Sequence, residues 1–446
     1  MNVVWCFSFF LAAMISCVAL GYSALPALLL GIVLFTILGR KRGYTLREML
    51  SMMGREGRKL LPVLIIFLVI GAITGLWRAS GTITFFIYYG IQVITPKMFV
   101  LVTFLLTCLL SYALGTSFGV VGTAGIILIA LARSGGVNVS VTAGAVLAGA
   151  YFGDRCSPAS SSAALVSAVT GTDQKINMHN MLRTGWLPTL LSVGIYALLS
   201  VKNPICMVDE SLLQLLSDHY SISFWTVIPA ILMLVLPLFH LSIRTSMAGS
   251  CAAAFLAAIF CQHMGVAETL RATFLGYEPA AELSAILSGG GVASMLRSVV
   301  LVLLTGCYAG LLTGIGALDG MRKLVEKIGE KWGLFPATLL TSIASAMALC
   351  NQSIVVVMGE PLLRDAYEKK GASREELAVD LENSGIILSA LIPWNIAGSI
   401  PLKMLGADIR AIPYAVLLYM IPLCHFLTKR YFFRNGEKER KKETME

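Results

Sequence analysis

Apolar runs, punctuated by glycine, proline and short polar clusters, make up most of this chain. Two of them, 1–20 and 24–38, stand close together at the start. Later windows exceed the roughly 17 apolar residues that carry a helix across a bilayer. None shows the apolar/polar alternation over about ten residues that marks a membrane β-barrel strand. The pattern predicts an all-α polytopic membrane protein. The first run lacks a positively charged start, so with the second it reads as a retained helical hairpin rather than a cleaved leader.

The punctuation repeats. Shifted by 235 residues, Gly71 falls on Gly306, Gly75 on Gly310, Gly81 on Gly316, Gly136 on Gly371, Pro158 on Pro393, Gly171 on Gly406 and Asp173 on Asp408. One ungapped register that includes proline and aspartate marks residues 60–201 and 295–428 as two copies of one unit. Each copy reads as an apolar helix, a surface segment, two short arms, a broken apolar helix and a final helix. The arms are 99–114 with 118–131, and 335–349 with 354–363. Several are short for a crossing, so each pair is expected to form a re-entrant hairpin, buried in protein or lining a wet cavity. The GxxxG pairs Gly71/Gly75 and Gly306/Gly310 predict close helix packing.

Charge sets the orientation. Hydrophobic residues make up 57% of the chain and charged ones only 13%, against about 25% charged in a soluble domain. Mean hydropathy is +0.80. The net charge of +9 is concentrated between membrane segments and in the tail, with Arg40, Lys41, Arg42, Arg47, Arg55, Arg58 and Lys59 in one loop. This positive-inside pattern predicts that both termini are cytoplasmic, and it accounts for the charge without nucleic acid. The 319–331 loop carries Arg322, Lys323, Lys327 and Lys331, and 364–374 carries Arg364, Lys369, Lys370 and Arg374. Their counterparts in the first copy carry only Lys97 and Arg133. Equivalent loops on opposite sides mean an inverted repeat, with about ten spanning segments, two re-entrant hairpins and two broken helices; a parallel duplication with one helix miscounted is the alternative. The expected organisation is a hairpin and basic loop over 1–59, a first repeat over 60–201, a connecting membrane segment over 202–294, a second repeat over 295–428 and a basic tail over 429–446. The ten cysteines are scattered singly without a CxxC pair, which argues against a disulfide framework or a zinc site.

Chemistry gathers at two places in each copy. The tips between the arms read "GTSFG" (115–119) and "CNQS" (350–353), so that Thr116 meets Asn351, Ser117 meets Gln352, and Ser353 follows. The breaks read "GDRCSPASSS" (153–162) and "SALIPWNIAGS" (389–399), where Pro158 meets Pro393 and Ser160 meets Asn395. Proline inside a helix frees a backbone carbonyl, which in lipid must find a partner. A dehydrated cation is one such partner, and Ser, Thr, Asn and Gln oxygens can complete its shell. Inverted repeats place such sites near mid-membrane where the copies meet. For any single serine the plainer reading is a hydrogen bond to helix backbone; the matched pair of breaks favours a site for the group.

Asp154 stands apart, because a carboxylate at membrane depth is costly and usually functional. Neighbouring helical residues diverge by about 100°, so Arg155 need not pair with it. A carboxylate there can hold a proton or a cation in competition. Glu382 with Asn383, just before the second break, is a further candidate. Glu360 and Asp365 flank the second hairpin and read mainly as solvent-facing, and Asp173 and Asp408 read as helix caps. "GTSFG" also matches the nucleophile elbow, which requires a strand before it and a helix after it. An intramembrane hydrolase using Ser117 is therefore the alternative from another class.

The stretches "GAYFGDRCSPASSS" (149–162), "GTD" (171–173), "EPLLRDAYEKKG" (360–371) and "LENSGIILSALIPWN" (381–395), together with "CNQS", resemble the NhaC family of Na⁺/H⁺ antiporters in the ion transporter superfamily. The resemblance covers roughly residues 60–428. It implies secondary active exchange of Na⁺ for H⁺, not an enzyme, with no cofactor beyond the transported ions. It carries Asp154, Ser157, Ser160, Glu382 and Asn395 onto the family motifs, with Asp154 and Ser157 as Na⁺ ligands. One departure matters: many members carry a carboxylate where Ser161 stands. The change leaves ion stoichiometry open and makes room for the runner-up function, a Na⁺- or H⁺-coupled carrier of a small amino acid or organic anion. The expected setting is the cell membrane, in contact with lipid, with a homodimer among the assemblies left open.

Overall fold

The computed structural model describes residues 3–20, 22–93, 96–205, 210–239, 241–317 and 321–443. Asp319, residues 444–446 of the tail, and the side chains of Arg322, Lys323 and the tail's basic residues beyond Lys429 lie outside the described residues. Among those described, regular structure is helical throughout, with one isolated bridge between Tyr277 and Gly289. Four helices are long and apolar enough to cross a membrane: Leu61–Ala79, Ser117–Ser134, Gln174–Lys202 and Val292–Gly314. A pair bent by 95°, Leu213–His219 with Phe224–Val235, would make a fifth. Further apolar helices are shorter, among them Val3–Ala19, Phe99–Leu114 and Leu334–Leu349.

The 235-residue register extends to the starts of four helix pairs. Phe99–Leu114 pairs with Leu334–Leu349, Ser117–Ser134 with Gln352–Lys369, Val139–Cys156 with the helix that begins at Arg374, and Ser161–Thr170 with Ile396–Met404. The caps follow the same register. Thr116 and Asn351, Asn138 and Ser373, Ser160 and Asn395, and Asp173 and Asp408 each accept a first-turn amide with the side chain. Caps satisfy donors that would otherwise be orphaned at a helix start, so the repeat is written in helix-start chemistry as well as in hydropathy. The expected capping roles of Asp173 and Asp408 are what the geometry shows.

The second arms are longer than the sequence pattern suggests. Instead of 118–131 and 354–363 they run over Ser117–Ser134 and Gln352–Lys369, 18 residues each. In the first, a π-helical turn at Val121–Gly125 absorbs the two glycines. In the second, Pro361 stays within the helix, and Arg364 pairs with Glu360 one turn back at 2.5 Å, carrying the helix into the charged segment.

Close packing depends on small residues. A Cβ on Gly149 would lie 2.0 Å from Thr107 Oγ1, and one on Gly153 would lie 2.0 Å from the Ser111 carbonyl carbon, so Val139–Cys156 can lie against Phe99–Leu114 only with glycine there. The GxxxG pairs also sit at close approaches: Gly306 and Gly310 against Leu60 and the Met52 carbonyl, Gly71 and Gly75 against the Gly291 and Ala272 carbonyls. The basic loop is itself a helix, Leu46–Lys59, opened by a Thr45–Glu48 capping box.

Candidate functional site

Each break folds back onto the end of its own first arm. In the first, the Ser157 hydroxyl donates to the Tyr112 carbonyl at 2.6 Å and accepts from the Ala159 amide at 3.1 Å. In the second, Trp394 Nε1 donates to the Met347 carbonyl at 2.9 Å, and Asn395 Nδ2 to the Ala346 carbonyl at 3.0 Å. Tyr112 and Met347 are register partners, so both copies solve the same problem: a polar group satisfies a carbonyl at the arm's end. The arms end at Gly115 (φ +65°) and Cys350 (φ +55°), both left-handed. A Cβ at Gly115 would also meet the Ala159 carbonyl carbon at 2.4 Å.

These docked breaks bring four helix N-termini to one cavity of about 230 Å³. Thr116 and Ser117 come from one tip, and Asn351, Gln352 and Ser353 from the other. Ser161 and Ser162 follow the first break, and Ile396 and Ala397 the second. Phe67, Val302 and neighbouring apolar side chains close one wall.

Asp154, 5% exposed, sits at the centre of this arrangement. Its carboxylate accepts from Ser117 Oγ at 3.2 Å, Ser162 Oγ at 3.1 Å, Gln352 Nε2 at 3.3 Å and, marginally, Ser160 Oγ at 3.5 Å. Ser160 also donates to the Asp154 carbonyl. Gln352 bridges onward to Ser162 at 3.2 Å. Its carbonyl accepts from Tyr151 at 3.3 Å, and Tyr151 also donates to the Ala397 carbonyl at 2.8 Å. Both tips and both breaks are thus joined in one hydrogen-bond network. Helix N-termini carry partial positive charge, so four of them aimed at the cavity favour a negative charge within it, and Asp154 supplies one.

Of the sequence-predicted residues, the structure gathers Asp154, Thr116, Ser117, Ser161, Asn351, Gln352 and Ser353 around the cavity. Ser160 touches Asp154 from behind it. Four predicted residues do other work. Ser157 and Asn395 turn to backbone carbonyls at the ends of the first arms, which must find partners inside the membrane before these side chains could serve a ligand. Glu382 and Asn383 lie apart from the cavity, near Arg155. The fully buried Arg155 donates to Asn383 Oδ1 at 2.7 Å, to the Met181 carbonyl at 2.8 Å and to Thr184 at 3.1 Å, and not to Asp154. Both Glu382 carboxylate oxygens are buried without a hydrogen-bond partner among the described residues.

Two members of the network were not singled out in the sequence. Ser162 is two residues past the Ser160 cap, where a folded-back chain returns it to Asp154. Tyr151 lies three residues before Asp154, one helical turn away. The strand required ahead of a nucleophile elbow is the helix Phe99–Leu114 here, and the Ser117 hydroxyl is directed at a carboxylate.

The model of the Na⁺/H⁺ antiporter family matches residues 2–202 and 189–429, nearly the whole chain. The chain belongs to the Na⁺/H⁺ antiporter family. Within it, the chain is 28% identical over 426 residues to an uncharacterised Na⁺/H⁺ antiporter of Haemophilus influenzae, covering 91% of each. It is 28% identical to the malate-2H⁺/Na⁺-lactate antiporter of Bacillus subtilis, over 83% of this chain and 81% of that one. It is 26% identical to the Na⁺/H⁺ antiporter NhaC of Alkalihalophilus pseudofirmus, over 82% and 81%. The NhaC resemblance seen in the motifs therefore holds across most of the chain.

Proposed function

We propose that the chain exchanges Na⁺ for H⁺ across the cell membrane by alternating access, with Asp154 as the shared binding group. The observation that carries this is the convergence of both tips and both breaks on one buried carboxylate. The bonds to its oxygens, at 3.1–3.5 Å, are longer than the 2.7–2.8 Å typical of hydroxyl donors. A serine hydroxyl donates one hydrogen and keeps two lone pairs. Ser117 and Ser162 can therefore donate to the empty carboxylate and turn their oxygens toward a Na⁺ that joins it. A proton on Asp154 cancels the charge that attracts Na⁺, so one site serves the two cargoes in turn. The two repeats, inverted with respect to each other, would alternate exposure of this site, with both chain ends cytoplasmic.

The test is transport in proteoliposomes loaded with a pH-sensitive dye and given a Na⁺ gradient. The unaltered chain should move protons against Na⁺, and Asp154→Asn, purified with the same thermal unfolding temperature, should show only background. Undiminished exchange in that variant removes Asp154 from the mechanism.

A second reading is supported by the cavity, where Ser161 stands in place of a carboxylate and leaves four helix N-termini facing a single acid. That balance suits an organic anion travelling with the ion, and one relative is named for malate and lactate exchange. Adding malate or lactate to the same proteoliposomes distinguishes the two: ion-only exchange is unchanged, and coupled transport is stimulated.

A further inference from the structure

A second pocket, of about 170 Å³, lies two to three helical turns from the Asp154 cavity along three shared helices. On Leu61–Ala79 the cavity is lined by Phe67 and the pocket by Thr74 and Arg78. On Val292–Gly314 the corresponding residues are Val302 and Met295, and on Ile396–Met404 they are Ile396 and Lys403. At 1.5 Å per residue the offsets are about 10 Å, and about 16 Å at Arg78. Arg78 ends the helix that leaves the basic Leu46–Lys59 segment, so the pocket opens at the membrane face opposite that segment.

The pocket is cationic. Arg78, Arg133 and Lys403 line it, and no carboxylate does among the described residues. Arg78 NH1 donates to the Thr74 carbonyl at 2.7 Å, while its Nε is buried without an acceptor. Among the described residues, Arg133 donates to the Gly406 carbonyl at 3.2 Å. The start of Val292–Gly314 forms another wall through Gly290 and Ser294, and its N-cap is Gly291, which has no side chain to cap the first amides. A helix N-terminus beside guanidinium and ammonium groups is an anion-binding arrangement. Three cations thus stand together on the face where the positive-inside rule depletes them.

We infer that this pocket binds a small organic carboxylate, such as a two- to four-carbon mono- or dicarboxylate, about two helical turns from the Asp154 cavity. Its volume is below the roughly 300–1,000 Å³ of drug-sized ligand sites, which restricts the occupant to a small molecule. Arg78 holds the carboxylate at depth, and Arg133 and Lys403 draw it in from the surface. The proposal does not depend on Na⁺/H⁺ exchange at Asp154.

Thermal unfolding of the purified full chain, followed by tryptophan fluorescence, tests it with malate, succinate or lactate as N-methylglucamine salts. The expected result is a saturable rise in Tm with carboxylate and none with chloride at equal ionic strength. Lys403→Gln and Arg133→Gln, both at exposed side chains, should raise the half-saturating concentration at least tenfold while leaving the ligand-free Tm in place. Asp154→Asn should keep the carboxylate response while losing the Na⁺ response, so the two sites fail separately. An equal response in the variants, or no response to any carboxylate, overturns the assignment. So does a response found only with anionic lipid in nanodiscs, which makes the occupant a headgroup.

Discussion

At the residue scale, similar side chains have different duties, and the geometry separates them. Ser162 donates to Asp154 and can offer its oxygen to an ion; Ser157, five residues earlier, is committed to the Tyr112 carbonyl. Ser162→Ala should raise the half-saturating Na⁺ concentration for exchange by up to about tenfold, the equivalent of ~1.4 kcal/mol, with little change in unfolding temperature. Ser157→Ala should do the reverse, destabilising the fold by roughly 1–2 kcal/mol through an unsatisfied buried carbonyl and leaving the Na⁺ dependence alone. If both variants change affinity equally, Ser157 belongs to the ion site after all. Sequence alone does not make this distinction: the motif contains both serines, and only the direction in which the break folds decides which one faces the cavity. Asp154 was legible because a lone acid in an apolar run has few structural excuses. Glu382 was a further candidate, yet its neighbour Asn383 accepts from Arg155, 228 positions away along the chain, and no local pattern could place it there.

At the element scale, the C-terminal helix is fastened by a buried cluster that the sequence read as something else. Lys429 counted as the first residue of a basic cytoplasmic tail. Instead its ammonium lies inside the protein, paired with Glu376 at 2.7 Å and with Asp380. Asp380 is fully buried and also receives Tyr367 and, at 2.7 Å, His425. The cluster joins Val416–Glu443 to Arg374–Leu381, the helix that runs into the second break. The pairing spans 49 residues, and such long-range ion pairs leave no periodic trace, whereas the Asp173 and Asp408 caps, being local, were readable in the 235-residue register. Removing one member of a buried pair leaves the other uncompensated, at a cost of about 3–5 kcal/mol. Lys429→Met should therefore lower the unfolding temperature markedly. Asp380→Asn added to it should restore much of the loss, because the stranded charge goes with it. A double variant that is as unstable as the sum of the two singles would show that the ion pair is not what fastens the helix.

At the scale of the whole molecule, the two copies share helix starts, caps and breaks, and both contribute to one cavity. Such sharing has a geometric consequence if the copies are inverted: residues related by the register lie at opposite membrane faces. Lys97 precedes the first arm of one copy, and Lys331 precedes the corresponding arm of the other; both are exposed. The orientation follows from the charge on the surrounding segments, since Lys331 belongs to the basic helix Met321–Trp332 and Lys97 has no basic neighbours. Single cysteines at the two positions, in intact cells, should therefore react oppositely with a membrane-impermeant maleimide. Lys97→Cys should label from outside, and Lys331→Cys only after the membrane is opened, each measured against the unsubstituted chain. Labelling of both from the same side means a parallel duplication, in which Asp154 would still be shared by the copies but alternating exposure would need a different motion from the rocking of one inverted half against the other.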